Sequence, residues 1–279
     1  MPTDKRERKR QGRQARQEYL RAQRQKARLR RQVITVVVLV ALVLGISLLV
    51  TAGDDDGGDQ TPAEDATTLP TAKPVADETE VKGDTPCPPA DGADKPTYKF
   101  EKPPPMCIDP AKTYIAKMTT SEGVIEVTLD TAKTPKTANN FVVLSRYHYY
   151  DGTALFRTNS GIAIIQGGAP HTQGNDDQGP GYTIEDEGAG FKYTEGDLVM
   201  ARTQQPNSAS AQFFFAAGPE TAQLDSQGNY VTFGKVTKGT DVMKKIMRLH
   251  KDDPQSPLGP GDGRPSKLVT VKTIEIVER

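Results

Sequence analysis

Four side chains in the C-terminal half of the chain have types that suit binding and polarising a peptide group: Arg157, Gln166, Gln212 and Phe214. They are spread over separate predicted strands, and no nucleophile–base pair lies among them. Arginine stays charged and holds its donors in a rigid fork, and a neighbouring glutamine can orient that fork without adding charge. The residue types therefore favour stabilising a polarised amide over hydrolysing one.

The elements that must position these residues are short strands. Residues 114–120 and 124–129 alternate apolar and polar side chains around a glycine-containing turn, which predicts a hairpin. A helix is predicted from Thr134, because a proline follows at its first position and apolar residues recur at helical spacing. A second helix is predicted over 240–250 and a closing strand over 268–277. Many short strands without a βαβ rhythm indicate an antiparallel barrel or sandwich.

Six motifs in the globular part occur in a fixed order, and each alone is a weak signal. They are TPKTANNFV (134–142), YYDGTALFR (149–157), IIQGG (164–168), GDLVMA (196–201), AQFFF (211–215) and YVTFGKV (230–236). Together they resemble the cyclophilin-type peptidyl-prolyl cis-trans isomerases over residues 112–277. The resemblance implies a mainly β fold, an eight-stranded antiparallel barrel capped by two helices.

The resemblance also implies roles for particular residues. The catalytic positions correspond to Arg157, Gln166 and Phe214. The substrate-binding positions correspond to Ile162, Ile164, Ala201, Arg202, Gln212, Leu224 and Tyr230. The implied reaction is isomerisation of X-Pro amides in unfolded or exported proteins. It needs no cofactor and no metal, and we expect a monomer that binds no nucleic acid.

Several positions depart from the family pattern. The aromatic residue that the family carries near Ile162 and Ala163 is missing here. Phe156 stands where the family has histidine, Arg202 where it has asparagine, and Gln223 where it has tryptophan. The retained Arg157, Gln166 and Phe214 favour an isomerase. The departures leave an alternative open, namely a non-catalytic proline-peptide-binding module with a cyclophilin fold.

Charge and hydropathy divide the N-terminal region into two segments. Residues 1–32 hold 13 Lys and Arg but only three acidic residues, and residues 33–52 are uncharged and rich in Val, Leu and Ile. Twenty helical residues rise about 30 Å, enough to cross the hydrocarbon core of a bilayer. The basic flank predicts a cytoplasmic N-terminal arm and an extracytoplasmic C-terminal domain. A retained signal anchor is favoured over a cleaved signal peptide, because the basic segment is unusually long. The arm is interpreted as a topology signal. Binding of anionic lipid headgroups or of nucleic acid is the alternative interpretation.

Residues 53–110 are predicted to be an acidic, disordered linker, because they hold 11 of the 21 prolines and few large apolar residues. The globular domain is then expected over 111–279. Cys87 and Cys107 are the only cysteines, and in an oxidising compartment such a pair favours a disulfide over two free thiols. The whole arrangement resembles membrane-anchored bacterial forms of the actinobacterial type.

Overall fold

A ten-stranded sheet dominates the computed structural model, which describes residues 70–77 and 79–279. The predicted basic arm and the predicted span at 33–52 lie outside the described residues. Within the described ranges, no helix is both long enough and apolar enough to cross a membrane.

The strands and helices follow one another in a simple order. Two short strands, β1 (Glu80–Val81) and β2 (Lys99–Phe100), pair in parallel. The large sheet contains β3 (Tyr114–Thr120), β4 (Val124–Leu129), β5 (Arg157–Asn159), β6 (Ile164–Gly167), β7 (Asp197–Met200), β8 (Phe213–Ala216), β9 (Thr232–Lys238), β10 (His250–Asp252), β11 (Asp262–Pro265) and β12 (Val271–Glu278). Its spatial order is β10-β11-β5-β6-β8-β7-β9-β4-β3-β12, and its pairs are antiparallel. The helices are α1 (Pro135–Arg146), a 3-10 helix (Pro219–Ser226) and α2 (Thr240–Met247).

The predicted hairpin is confirmed, with β3 and β4 at the bounds that the alternation gives. Alternate residues of β3 are buried, starting with Tyr114, because successive side chains of a strand point to opposite faces. Gly123 closes the turn with a φ of +144°, and a Cβ at this position would lie 2.7 Å from a side-chain carbon of Val242. Both the backbone angle and the contact with α2 therefore require glycine.

The expected mainly β, antiparallel fold with its two α-helices is confirmed, but the eight-stranded barrel is not closed in the described residues. The described residues form ten strands in the large sheet and three helices, and β10 and β12 remain as its two edges. Pro265 ends β11, since proline supplies no N–H for a further ladder. Residues 152–155 pair with residues 269–271 through the bridge of Ala154 with Thr270 and through backbone hydrogen bonds such as that from the Leu155 N–H to the carbonyl of Val269 at 2.8 Å.

The prediction of a disordered linker is wrong for the part near the domain. Tyr98, Phe100 and Ile108 are buried in the main hydrophobic core. The Phe100 ring packs edge-on against Tyr147 at 5.0 Å between ring centroids, and the Phe100 N–H donates to the carbonyl of Pro180 at 2.8 Å. A few well-spaced apolar residues are enough to dock a segment whose average composition is polar.

The two cysteines are joined in this docked segment. Cys87 and Cys107 form a disulfide with a Cα–Cα distance of 5.4 Å. The Cys107 N–H donates to Asn139 Oδ1 on α1 at 2.7 Å. The disulfide therefore closes a loop that contains Tyr98 and Phe100, and it ties that loop to the domain.

Candidate active site

Strand register brings three of the predicted site residues into one row. Arg157 on β5 is directly opposite Gln166 on β6, and Gln166 is directly opposite Phe214 on β8. Residues directly opposite one another in antiparallel strands have their side chains on the same face. The row therefore crosses three neighbouring strands and presents a cation, an amide and an aromatic ring on one surface.

This surface forms the wall of a cavity of about 440 Å³. All ten residues assigned to the site from the resemblance line it, namely Arg157, Ile162, Ile164, Gln166, Ala201, Arg202, Gln212, Phe214, Leu224 and Tyr230. Polar residues that the resemblance did not supply complete the wall, among them Asn175, Ser208 and Ser210. The cavity is thus apolar in one part and polar in the other.

The apolar part is a small cluster separate from the main core. Phe214 and Leu224 are buried in this cluster, and Tyr230 packs against it. The rings of Phe214 and Tyr230 meet edge-on at 5.8 Å between centroids. The neighbours Phe213 and Phe215 lie in the main core instead, as the alternation of side chains along β8 requires.

Tyr193 is a buried member of this apolar cluster, and sequence reasoning did not single it out. Its hydroxyl donates to the carbonyl of Tyr230 at 3.1 Å and accepts the Tyr230 N–H at 2.9 Å. Burial is the main cause that raises the pKa of Tyr193 to about 12. The hydroxyl therefore stays protonated near neutral pH, and the two hydrogen bonds hold Tyr230 at the cavity wall.

A chain of hydrogen bonds fixes Arg157 at the polar edge of the apolar part. Its Nε donates to Asp262 Oδ1 at 2.5 Å, and its Nη1 donates to Gln166 Oε1 at 2.6 Å. The Gln166 amide group then donates to Gln212 Oε1 at 2.8 Å and to Asn175 Oδ1 at 3.1 Å. Within the part of the chain that the structure describes, Nη2 of Arg157 makes no hydrogen bond, so it remains able to donate to a bound peptide.

Asp262 holds Arg157 in place, and sequence reasoning did not single it out. Its side chain is 5 % exposed and pairs with Arg157, and Ser256 donates to its second oxygen. Asn159 makes a longer contact with it at 3.4 Å. The aspartate is 105 residues from the arginine along the chain, and an Asp-Gly pair between glycines looks like an ordinary turn signal. No local pattern could have assigned it to the site.

Asp262 is expected to position Arg157 during the reaction. Asp262→Ala should lower kcat for an X-Pro peptide roughly 10- to 100-fold, since small displacements of a catalytic group have effects of this size. Asp262→Asn keeps an acceptor for Nε and should lose less. The comparison of kcat with KM decides the role, because a mispositioned arginine lowers kcat more than it weakens binding.

The control for Asp262 is Asp253→Asn. Asp253 also pairs with an arginine, Arg264 at 3.1 Å, but it does not line the cavity. Asp253→Asn should keep the wild-type kcat. If folded Asp262→Ala also kept the wild-type kcat, Asp262 would have no part in positioning Arg157.

Arg202 lines the cavity, but its guanidinium is occupied elsewhere. The side chain is 5 % exposed and forms an ion pair with Asp186 at 2.9 Å. It also donates to the carbonyls of Thr203, Gln205 and Asn229. These contacts hold the loop that follows β7. Arg202 therefore shapes the wall of the cavity, and its guanidinium is already bound to protein groups.

Gln223 stands on the 3-10 helix outside the cavity lining. Its Nε2 donates to the carbonyl of Gly161 at 2.7 Å, and its side chain is otherwise exposed. This contact connects the 3-10 helix to the β5–β6 turn beside the apolar cluster.

The fold and the cavity together define a class of protein, one that binds a peptide on an antiparallel sheet. The sheet carries a small apolar pocket beside a fixed arginine, and this arrangement suits a proline ring and its amide. Residues 115–276 match the model of the cyclophilin type peptidyl-prolyl cis-trans isomerase family. The chain belongs to this family, and the relatives described next are named as peptidyl-prolyl cis-trans isomerases.

Relatives from bacteria match most of their own length. The chain is 32% identical over 165 residues to the peptidyl-prolyl cis-trans isomerase A of Dickeya dadantii, which covers 58% of this chain and 84% of the relative. It is 35% identical over 156 residues to the peptidyl-prolyl cis-trans isomerase cyp18 of Streptomyces antibioticus, covering 51% of this chain and 92% of the relative.

A solved structure shares the fold as well. The crystal structure of a cyclophilin type peptidyl-prolyl cis-trans isomerase from Cryptosporidium parvum matches with a TM-score of 0.51 and 27% identity. The match covers 60% of this chain and 99% of that one. The same parasite protein, in the presence of the dipeptide Ala-Pro, matches with a TM-score of 0.50 and 28% identity, over 59% of this chain and 99% of that one.

Proposed function

We propose that the chain is a membrane-anchored prolyl isomerase whose cyclophilin domain lies outside the cytoplasm and assists the folding of exported proteins. The observation that carries the catalytic part is the position of Arg157. Its guanidinium is fixed by Asp262 and Gln166 at the edge of an apolar pocket.

Catalysis is proposed to act on the amide nitrogen of proline. Rotation about the peptide bond faces a barrier of about 18–20 kcal/mol from amide resonance, and uncatalysed X-Pro isomerisation takes tens of seconds. When the amide twists, a lone pair appears on the proline nitrogen. A donor on Arg157 that reaches this lone pair stabilises the twisted state more than either planar state, which is what lowers the barrier.

The rest of the cavity is proposed to bind the substrate around that donor. Phe214, Leu224 and Tyr230 offer an apolar surface for the pyrrolidine ring. Gln166 and Gln212 offer amide groups to the peptide backbone, and their mutual hydrogen bond keeps them in place. The parasite relative studied in the presence of Ala-Pro supports a proline-containing peptide as the ligand.

The proposed location depends on the sequence outside the domain and on the cysteines. Residues 33–52 are apolar and uncharged and follow a strongly basic segment, 1–32, which favours a single span with the N-terminus in the cytoplasm. A disulfide between Cys87 and Cys107 suits an oxidising compartment. The proposed clients are therefore exported chains that fold at the outer face of the membrane.

Membrane fractionation tests the proposed location. The full chain should stay with membranes after an alkaline carbonate wash, because an apolar helix of this length inserts stably. Protease added to the outer face should remove an epitope tag at the C-terminus and leave one at the N-terminus protected. A variant with Leu42→Arg and Leu49→Arg should be released from the membrane. Recovery of a soluble form beginning near Gly53 would show cleavage instead of anchoring.

A further inference from the structure

One large apolar side chain at the cavity is left outside the proline pocket. Leu258 lines the same cavity as Arg157, yet it does not belong to the apolar cluster around Phe214. It is 52% exposed, more than Met106, Leu268 or Val124, the other large exposed apolar residues of the described chain. Leaving such a side chain in water forgoes the free energy that burial would provide.

The loop that carries Leu258, residues 253–261, is held by its own hydrogen bonds. The Ser256 N–H donates to the carbonyl of Asp253 at 2.9 Å, and the Asp262 N–H donates to the carbonyl of Gly259 at 3.3 Å. The Leu258 N–H donates to Ser256 Oγ at 3.2 Å. Prolines at 257 and 260 restrict the backbone on both sides of the leucine. The leucine is therefore presented in a defined place.

The same loop is joined directly to the catalytic arginine. Ser256 donates to the carboxylate of Asp262, and Asp262 pairs with Arg157. Leu258 thus lines the same cavity as Arg157, on the loop that ends at the arginine's partner Asp262. The charged pair beside this loop, Arg157 and Asp262, is joined by an ion pair.

We propose that Leu258 forms a second apolar subsite, separate from the proline pocket, which selects peptides with a large apolar side chain next to the X-Pro bond. The inference rests on the proposed function, since it assumes that the cavity binds X-Pro peptides. Its physical basis is the apolar area that Leu258 and the peptide side chain bury together. The polar residues along the rest of the wall, such as Asn175 and Ser208, supply no comparable apolar surface.

The test measures selectivity with the full chain in detergent micelles, by exchange NMR on short X-Pro peptides. Phenylalanine or glycine is placed either two residues before the proline or directly after it. Wild type should prefer phenylalanine at one of these positions by about fivefold in kcat/KM, as expected for partial burial of one large side chain. In Leu258→Ser this phenylalanine-to-glycine ratio should fall close to one, and Leu258→Met should restore most of it.

Leu268→Ser is the matched control, because Leu268 is 46% exposed and lies outside the cavity. It should keep the wild-type ratio. An unchanged phenylalanine-to-glycine ratio in Leu258→Ser would overturn the subsite. An equal loss of kcat/KM for all peptides, which Leu258→Met fails to restore, would overturn it as well. Failure of wild type to isomerise any of the peptides would contradict the proposed function itself, which is a different outcome from loss of selectivity.

Discussion

Replacing Arg157 with alanine should lower kcat/KM for an X-Pro peptide by roughly 10²- to 10³-fold, the loss typical of removing one well-placed transition-state donor. The expected loss is in kcat more than in KM, since the donor is needed most when the amide is twisted. Peptide binding should survive, because the apolar part of the cavity is built by Phe214, Leu224 and Tyr230. A protease-coupled or exchange NMR assay measures the rate, and NMR titration measures binding.

The alanine variant needs a companion, because Asp262 would be left buried without its cation, and such a loss destabilises the fold. Arg157→Lys keeps a positive charge for Asp262 but lacks the planar fork. We expect it to be folded and still at least about tenfold slower than wild type, since a lysine cannot hold Asp262 and Gln166 and also reach the substrate.

Arg264→Lys is the control for both variants. Arg264 lies on β11 and pairs with Asp253 outside the cavity, so this variant should keep the wild-type rate. Full activity in folded Arg157→Ala and Arg157→Lys would refute the catalytic role. A wild-type chain that binds X-Pro peptides without accelerating their isomerisation would instead support the non-catalytic peptide-binding module.

Replacing Phe100 with alanine should lower the free energy of unfolding by about 3–5 kcal/mol, the range for a large buried aromatic side chain. Phe100 is 1% exposed and packs against Tyr147 and Tyr182 with ring centroids 5.0 and 6.3 Å apart. The result would show that the segment before residue 111 is part of the folded domain. Urea unfolding of a chain that starts at residue 70, followed by circular dichroism, measures the difference.

A chain that starts at residue 112 should be less stable still. It lacks Tyr98, Phe100 and Ile108 from the core, and it lacks the disulfide, whose loop of 20 residues constrains the unfolded chain by about 3 kcal/mol. Met106→Ala is the control within the same segment, because Met106 is 48% exposed and should change stability little. Equal stability of the chains starting at 70 and 112 would mean that the docked segment adds nothing to the fold.

The sequence by itself determined the features that local patterns encode. Alternation with a period of two predicted β3 and β4 at their observed bounds, and proline at the first helical position predicted the start of α1. The same alternation separated Phe214 from its neighbours 213 and 215, which lie in a different cluster. The ordered motifs carried the resemblance that implied ten cavity residues, of which Ile162, Arg202 and Leu224 lie outside the motifs themselves.

The tertiary structure alone decided the features that depend on residues far apart in the chain. Asp262 reaches Arg157 across 105 residues, and Leu258 reaches the same cavity through the loop that Asp262 anchors. Composition predicted disorder before residue 111 because an average over the segment hides three apolar residues, Tyr98, Phe100 and Ile108. These residues contact α1, the turn that follows it and the loop near Tyr182. The sheet stays open between β10 and β12 for a similar reason: closure depends on whether distant backbone groups can pair, and no local pattern of side chains records that.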